Sequence, residues 1–269
     1  AVIVMTTPFN WFGQLLFFIF AWALSLVVRR LPGRFPALAL AAISLLATGR
    51  YAWWRVTTTL ECETLAQAVL GYGLLAAEAY TWLIVVLGFI QTAWPLKRAP
   101  APLQGAPQSW PTVDVFIPTY NEPLSVVRPT VLAAMALDWP ADRFKVYLLD
   151  DGRREEFRAF AAEVGVQYII RPDNHHAKAG NLNHALQKTD GELVAIFDCD
   201  HLPTRSFLKT AVGWFQRDPK CAMLQTPHHF FSPDPFERNL GTFRRVPNEG
   251  ALFYGLIQDG NDFWNATFF

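Results

Sequence analysis

The sequence predicts an α/β protein in which membrane-spanning helices precede a Rossmann-like domain with a mixed, mainly parallel sheet. Three observations predict it. Only eight charged residues fall in positions 1–96, although the 269 residues hold 23 Lys and Arg and 23 Asp and Glu. Three apolar runs fill that first part. After it, short runs rich in β-branched and aromatic residues alternate with helical stretches, the rhythm of a sheet covered by helices. A hydrophobic fraction of 52% and a mean hydropathy of +0.16 exclude a disordered chain. Balanced charge argues against a nucleic-acid binder. Three cysteines without a CxxC pair provide neither a disulfide framework nor a zinc site.

The apolar runs come first. Residues 12–28 carry no charge, 35–54 only Arg50, and 65–94 only Glu78. A hydrocarbon core of about 30 Å takes about 20 helical residues, so each run is long enough to cross. Together they define a transmembrane region over 1–94. Basic residues orient it. The first joint holds Arg29, Arg30 and Arg34 and no acid, which assigns it to the cytoplasm. The second sets Glu61 and Glu63 against Arg55 and is assigned to the outside. The third run returns inside, where Lys97 and Arg98 stand, and the N-terminus lies outside. Glu78 is expected to face another helix or a polar cavity, because a carboxylate in lipid is costly. Five prolines in 95–111 predict an extended linker.

Residues 112–269 read as one soluble domain on the cytoplasmic side. Strands are expected at 113–118, 145–149, 166–170, 193–197 and 222–226. Helices are expected at about 124–137, 153–164, 178–188 and 204–217. In such sheets a ligand sits beyond the carboxyl ends of the strands. The polar clusters fall there: Thr119, Tyr120 and Glu122 after the first strand, Asp150-Asp151-Gly152 after the second, Asp198-Cys199-Asp200 after the fourth. No GxGxxG follows the first strand and no GxxxxGK[ST] occurs, which disfavours a dinucleotide or P-loop site.

Each cluster suggests a chemistry. Asp198 and Asp200 are two apart, so on an extended strand both carboxylates reach one side and one cation. Carboxylates plus substrate phosphates are the usual Mg²⁺ ligands, with Mn²⁺ the close alternative. Strand-end aspartates also serve simply as helix caps. Asp150 and Asp151 offer acceptors that match the donors of a nucleoside. The segment 175–181 opens a helix with small residues and Lys178, a point charge suited to a phosphate. His201 is placed either at the metal or as a hydrogen-bond partner of its ligands.

In combination these motifs resemble the processive family 2 glycosyltransferases, with the bacterial cellulose synthases nearest. The series is Pro118-Thr119-Tyr120-Asn121-Glu122, Asp150-Asp151-Gly152, His176-Ala177-Lys178-Ala179-Gly180-Asn181, Asp198-Cys199-Asp200-His201 and Gln225-Thr226-Pro227-His228-His229-Phe230. Pro247-Asn248-Glu249, Phe253-Tyr254 and Phe268-Phe269 extend the likeness, which covers about 35–269. It implies a GT-A-type fold, incomplete at its C-terminal end. It implies UDP-glucose as donor, a β-1,4-glucan chain as acceptor, Mg²⁺, and a bacterial inner-membrane location. It implies a periplasmic subunit and other secretion-complex partners, and activation by cyclic di-GMP through a domain absent from this chain. By position, Tyr120, Glu122 and Asp150 match the nucleoside side, Lys178 the diphosphate, and Asp198 and Asp200 the metal pair. Asp150, Asp198 and Asp200 are thus the candidate catalytic set. Thr119, Tyr120, Glu122, Asp150, Asp151, Lys178 and His201 are the candidate substrate contacts. Phe230, Asn248 and Phe253 match the acceptor side.

The resemblance also implies a Thr-Glu-Asp base motif and a QxxRW segment, and neither occurs before Phe269. The chain is therefore expected to be a piece of a longer protein that makes no polymer alone. Two other readings stay open: a hyaluronan, chitin or osmoregulated-glucan synthase, and a non-catalytic nucleotide-sugar-binding or assembly subunit.

Overall fold

The computed structural model describes residues 1–96, 98–230 and 232–264. Lys97, used above for topology, and Phe268 and Phe269 of the motif series lie outside the described residues. The chain forms two compact units, Ala1–Arg98 with Pro227–Phe269, and Ala99–Thr226.

The first unit opens with α1 (Val2–Thr6), then α2 (Trp11–Val28), α3 (Arg34–Thr58) and α4 (Leu65–Thr92). The last three are long and apolar enough to cross a membrane. Local chemistry sets their ends. The Asn10 side chain caps α2 by accepting from Gly13 N–H at 2.8 Å. Gly33, at φ 109°, breaks the chain before α3. Thr64 and Gln67 form a reciprocal capping box at the start of α4. The expected interhelical role of Glu78 is met. It accepts from Arg55 Nε at 2.7 Å and from the Tyr51 hydroxyl at 2.8 Å, so neither charge in this helix pair stands alone. Arg50, also buried, donates to Gln14 and to the carbonyls of Val4 and Thr7. The unit closes with three short helices, α9 (Pro235–Leu240), α10 (Glu249–Leu252) and α11 (Gln258–Phe263), with a π turn at Phe253–Ile257 between the last two.

The second unit holds β1 (Val113–Thr119), α5 (Leu124–Met135), β2 (Phe144–Asp150), α6 (Glu155–Val164), β3 (Gln167–Ile169), α7 (Ala177–Leu186), β4 (Leu193–Ile196) and α8 (Phe207–Arg217). The sheet order is β3-β2-β1-β4 and every described pairing is parallel. β1 is buried at all seven positions, as a central parallel strand should be. Val113, Val115, Ile117, Val146 and Leu148 pack with α5, α6 and α8 in one cluster. Phe116, Tyr147 and Leu149 pack with Ala185 of α7 in the other. The order reverses between β1 and β4, which makes the crevice at their carboxyl ends the switch point where ligands bind such sheets.

Two expectations differ from what is found. No strand forms at 222–226, so the described sheet has four strands and no antiparallel member. Most of that segment is exposed and Pro227 supplies no donor, so pairing would bury little. The proline-rich stretch is extended but is no free tether from Ala99 onward. Ala101 is buried, and Leu103 and Trp110 pack on the larger cluster. There α8 lies so close that a β-carbon on Gly213 would collide with the Ala101 carbonyl. Gly213→Ala is therefore expected to cost about 1–3 kcal/mol. Thermal denaturation should show a lower melting temperature, and an unchanged one would contradict this packing.

Candidate active site

The site is built on the turns that leave β1, β2 and β4, together with the start of α7. Its frame is two acid–arginine pairs at the end of β2. Asp150 is fully buried. One of its oxygens accepts from Gly152 N–H at 2.9 Å and from Arg154 Nε and Nη2 at 3.1 and 2.8 Å. The other accepts from Arg154 N–H at 2.7 Å and the Tyr168 hydroxyl at 2.8 Å. Burial, then its hydrogen bond to the Asp150 carboxylate, pushes the Tyr168 phenol well above its usual range, so it stays a donor. The same Arg154 donates to the Thr119 hydroxyl at 3.0 Å and to the Glu122 carbonyl at 2.6 Å, and its guanidinium lies 3.5 Å over the Phe157 ring. Asp150, expected to meet a nucleoside directly, thus has both oxygens occupied from within. It holds the β1 turn through Arg154.

That turn is locked a second time. Glu122 accepts from the Thr119 hydroxyl and from Tyr120 N–H, both at 2.8 Å. Burial pushes its carboxyl up, but the N–H groups of Tyr120 and of Glu122 itself, the Thr119 hydroxyl and the Cys199 thiol outweigh that and hold it below its usual range. Glu122 is therefore a charged member of the turn. Tyr120 is half exposed and free to lie against a ligand. Cys199 is buried between the two aspartates. Burial, then the negative charge of Glu122 and of Asp200, pushes its thiol up to about 11, so it keeps its proton at neutral pH.

Asp151 faces the other way. Arg171 grips it with Nε and Nη2 at 2.7 and 2.6 Å, and both side chains are about 95% buried. Opposition to losing the proton from Arg171 comes first from this contact, which pushes the guanidinium further up.

The exposed polar groups lie across the crevice. Lys178, second residue of α7, makes an ion pair with Asp198. β4 ends at Ile196, so Asp198 and Asp200 stand in a turn closed by His201 N–H on the Asp198 carbonyl at 2.9 Å. Strand alternation therefore does not govern where the two carboxylates point. The ring nitrogens of His201 lie 3.9 Å from Asp198 and 3.8 Å from Asp200. Among the described residues no cluster of three or more His, Cys, Asp or Glu is assembled for a metal. The donor set still fits a hard divalent ion that takes part of its shell from substrate. Both carboxylates are well exposed, 44% and 66%, and an ammonium already sits on one of them.

Phe230, Asn248 and Phe253 belong to the other compact unit. Asn248 caps α10 by accepting from Ala251 N–H at 2.8 Å. It lines a cavity of about 370 Å³ with Phe230, Pro247 and His229, and Phe253 is not in that lining. Arg154 and Arg171 escaped the sequence reading. The only signals for them were an arginine four residues after Asp150 and one just past the third strand.

Residues 114–269 match the family described as glycosyl transferase family 2. The chain is 59% identical over 266 residues to the "Cellulose synthase catalytic subunit [UDP-forming]" of Pseudomonas fluorescens (strain SBW25), covering 99% of this chain and 36% of that protein. It is 58% identical over 268 residues to the protein of the same name from Xanthomonas axonopodis pv. citri (strain 306), covering all of this chain and 37% of the relative. It thus spans little more than a third of the length of these relatives. Among solved structures, a mannosyltransferase from Pyrobaculum calidifontis, in complex with GDP-Man and Mn²⁺, is 28% identical over 57% of this chain and 44% of that one, with a TM-score of 0.41.

Proposed function

The chain belongs to glycosyl transferase family 2, its sheet domain is GT-A-like, and from that premise we propose that it is the N-terminal part of a UDP-glucose-dependent β-1,4-glucan synthase of the bacterial inner membrane. The observation that carries the reading is the 59% identity to a cellulose synthase subunit, which runs from the apolar helices through every strand-end motif.

In this reading the crevice at the β1–β4 switch point receives the donor. Tyr120 lies against the nucleoside, on a turn held rigid by Arg154 and Glu122. Lys178 leaves Asp198 and meets the diphosphate, whose charge it offsets as a point cation. Asp198 and Asp200 would hold Mg²⁺ or Mn²⁺, with the His201 ring 3.9 and 3.8 Å from them. When bound, such an ion neutralises the charge that develops on a departing diphosphate. Preorganised positive charge at the leaving group favours the transition state over the ground state. Phe230, Asn248 and Phe253 are assigned to the acceptor side.

The direct test is synthesis. Membranes holding the full-length protein, supplied with UDP-glucose and Mg²⁺, should yield a polymer that an endo-β-1,4-glucanase digests. A resistant polymer, or one built only from another nucleotide sugar, would overturn the reading.

The reading also places the sheet domain in the cytoplasm, where UDP-glucose is made. With Cys62, Cys199 and Cys221 changed to serine, Leu60→Cys should react with a membrane-impermeant thiol reagent in intact cells. Gly33→Cys, beside Arg29, Arg30 and Arg34, should not. The reverse pattern would remove the domain from its donor pool.

A further inference from the structure

We infer that Arg171 is a positioning residue for the nucleotide diphosphate: it holds the strained turn at His175–Ala177 from which Lys178 reaches into the crevice. The inference rests on the role given to Lys178 above and goes beyond it.

A guanidinium 5% exposed is costly unless every part of it is matched. Here it is matched in two directions at once. One edge grips Asp151 through two parallel bonds of 2.7 and 2.6 Å. The other donates to two backbone carbonyls, Nη1 to His175 at 2.6 Å and Nη2 to Ala177 at 2.9 Å. Those carbonyls bracket the one place among the described residues where two successive side-chain-bearing residues have positive φ, His176 at 60° and Ala177 at 44°. Such backbone costs about 1–3 kcal/mol per residue and persists only where its surroundings over-determine it.

The surroundings do so from several sides. The first turn of α7 closes with Gly180 N–H on the His176 carbonyl at 3.0 Å. A β-carbon on Gly180 would collide with the His175 carbonyl and press on Arg171 Nη1, so only glycine fits beneath the clamp. Asn174 Nδ2 donates to the Asp151 carbonyl at 3.2 Å, and Arg153 Nη1 donates to Asn174 Oδ1 at 2.8 Å. Lys178 is the residue immediately after the strained pair, and its ammonium meets Asp198. Asp151 therefore acts on the crevice through Arg171 and the turn, without reaching the crevice itself. Lysine cannot replace the arginine. An ammonium lacks the planar fork that serves a carboxylate on one edge and carbonyls on the other.

The test is a double-mutant cycle on UDP affinity, measured with Mg²⁺ on the full-length protein. Arg171→Ala would strand a buried carboxylate, so Arg171→Lys, which keeps the charge, is the variant of choice. It should weaken UDP about tenfold. Lys178→Ala should weaken UDP by about one to two decades. The double variant should bind no worse than Lys178→Ala alone, because Arg171 acts through that lysine. A merely structural arginine would add its loss to that of Lys178→Ala, and additive losses, or unchanged affinity in Arg171→Lys, would overturn the inference. A second variant reads the strain itself. Glycine adopts positive φ freely, so Ala177→Gly should restore part of the affinity of Arg171→Lys and leave Lys178→Ala unimproved. No restoration would also count against it. If Lys178→Ala alone leaves UDP binding intact, the role of Lys178 falls and this inference with it. If Lys178→Ala weakens binding but the cycle is additive, only the role of Arg171 falls.

Discussion

Changing both Asp198 and Asp200 to asparagine in the full-length protein is expected to reduce glucan synthesis by about three decades, equivalent to about 4 kcal/mol of transition-state stabilisation. Asparagine keeps the shape of each side chain and removes the charge that would hold a divalent ion. Folding should be retained, because both carboxylates are substantially exposed and neither supports the core. The companion measurement is the Mg²⁺ dependence of the residual rate, which should disappear. Activity within tenfold of the unaltered protein would show that these carboxylates do not serve the reaction.

Asp150→Ala is expected to fail for the opposite reason. Asp150 is wholly buried and takes five hydrogen bonds, three of them from Arg154. Its removal strands a mostly buried guanidinium and the Tyr168 hydroxyl, and breaking a buried pair from one side costs about 3–5 kcal/mol. That is a large share of the 5–15 kcal/mol by which domains are usually stable. The variant should melt far lower or accumulate as aggregate. An unaltered melting temperature combined with lost UDP binding would instead make Asp150 a direct nucleoside contact.

These two aspartates mark what could be read from the chain and what could not. The three long apolar helices were legible because uninterrupted apolar length is itself the signal, and the helices found match the runs to within about four residues. The first four strands were legible for the same reason: a buried parallel strand is a short apolar run that ends where polarity begins. Strand ends therefore pointed to the candidate site. What each polar residue does there was less accessible. Asp150 and Asp198 look alike in sequence, each an acid closing an apolar strand, yet one is sealed by Arg154 and the other is open to solvent. The difference lies in arginines that no hydrophobic period reports. The αL geometry of His176 and Ala177 was hidden too, since both residues carry side chains that ordinarily avoid it. The expected strand at 222–226 erred the other way: its apolar residues leave the edge of β4 unpaired, because most of the segment stays exposed and pairing would bury little.

A crevice between β1 and β4 that binds a nucleoside diphosphate jointly with a divalent ion has a plain calorimetric signature. Titration of the full-length protein with UDP should show binding in Mg²⁺ that is lost in EDTA, because Asp198 and Asp200 otherwise repel the diphosphate. Asparagine at both positions should remove the requirement for the ion together with most of the metal-supported affinity. Binding equally tight in EDTA would rule out joint binding of nucleotide and ion in this crevice.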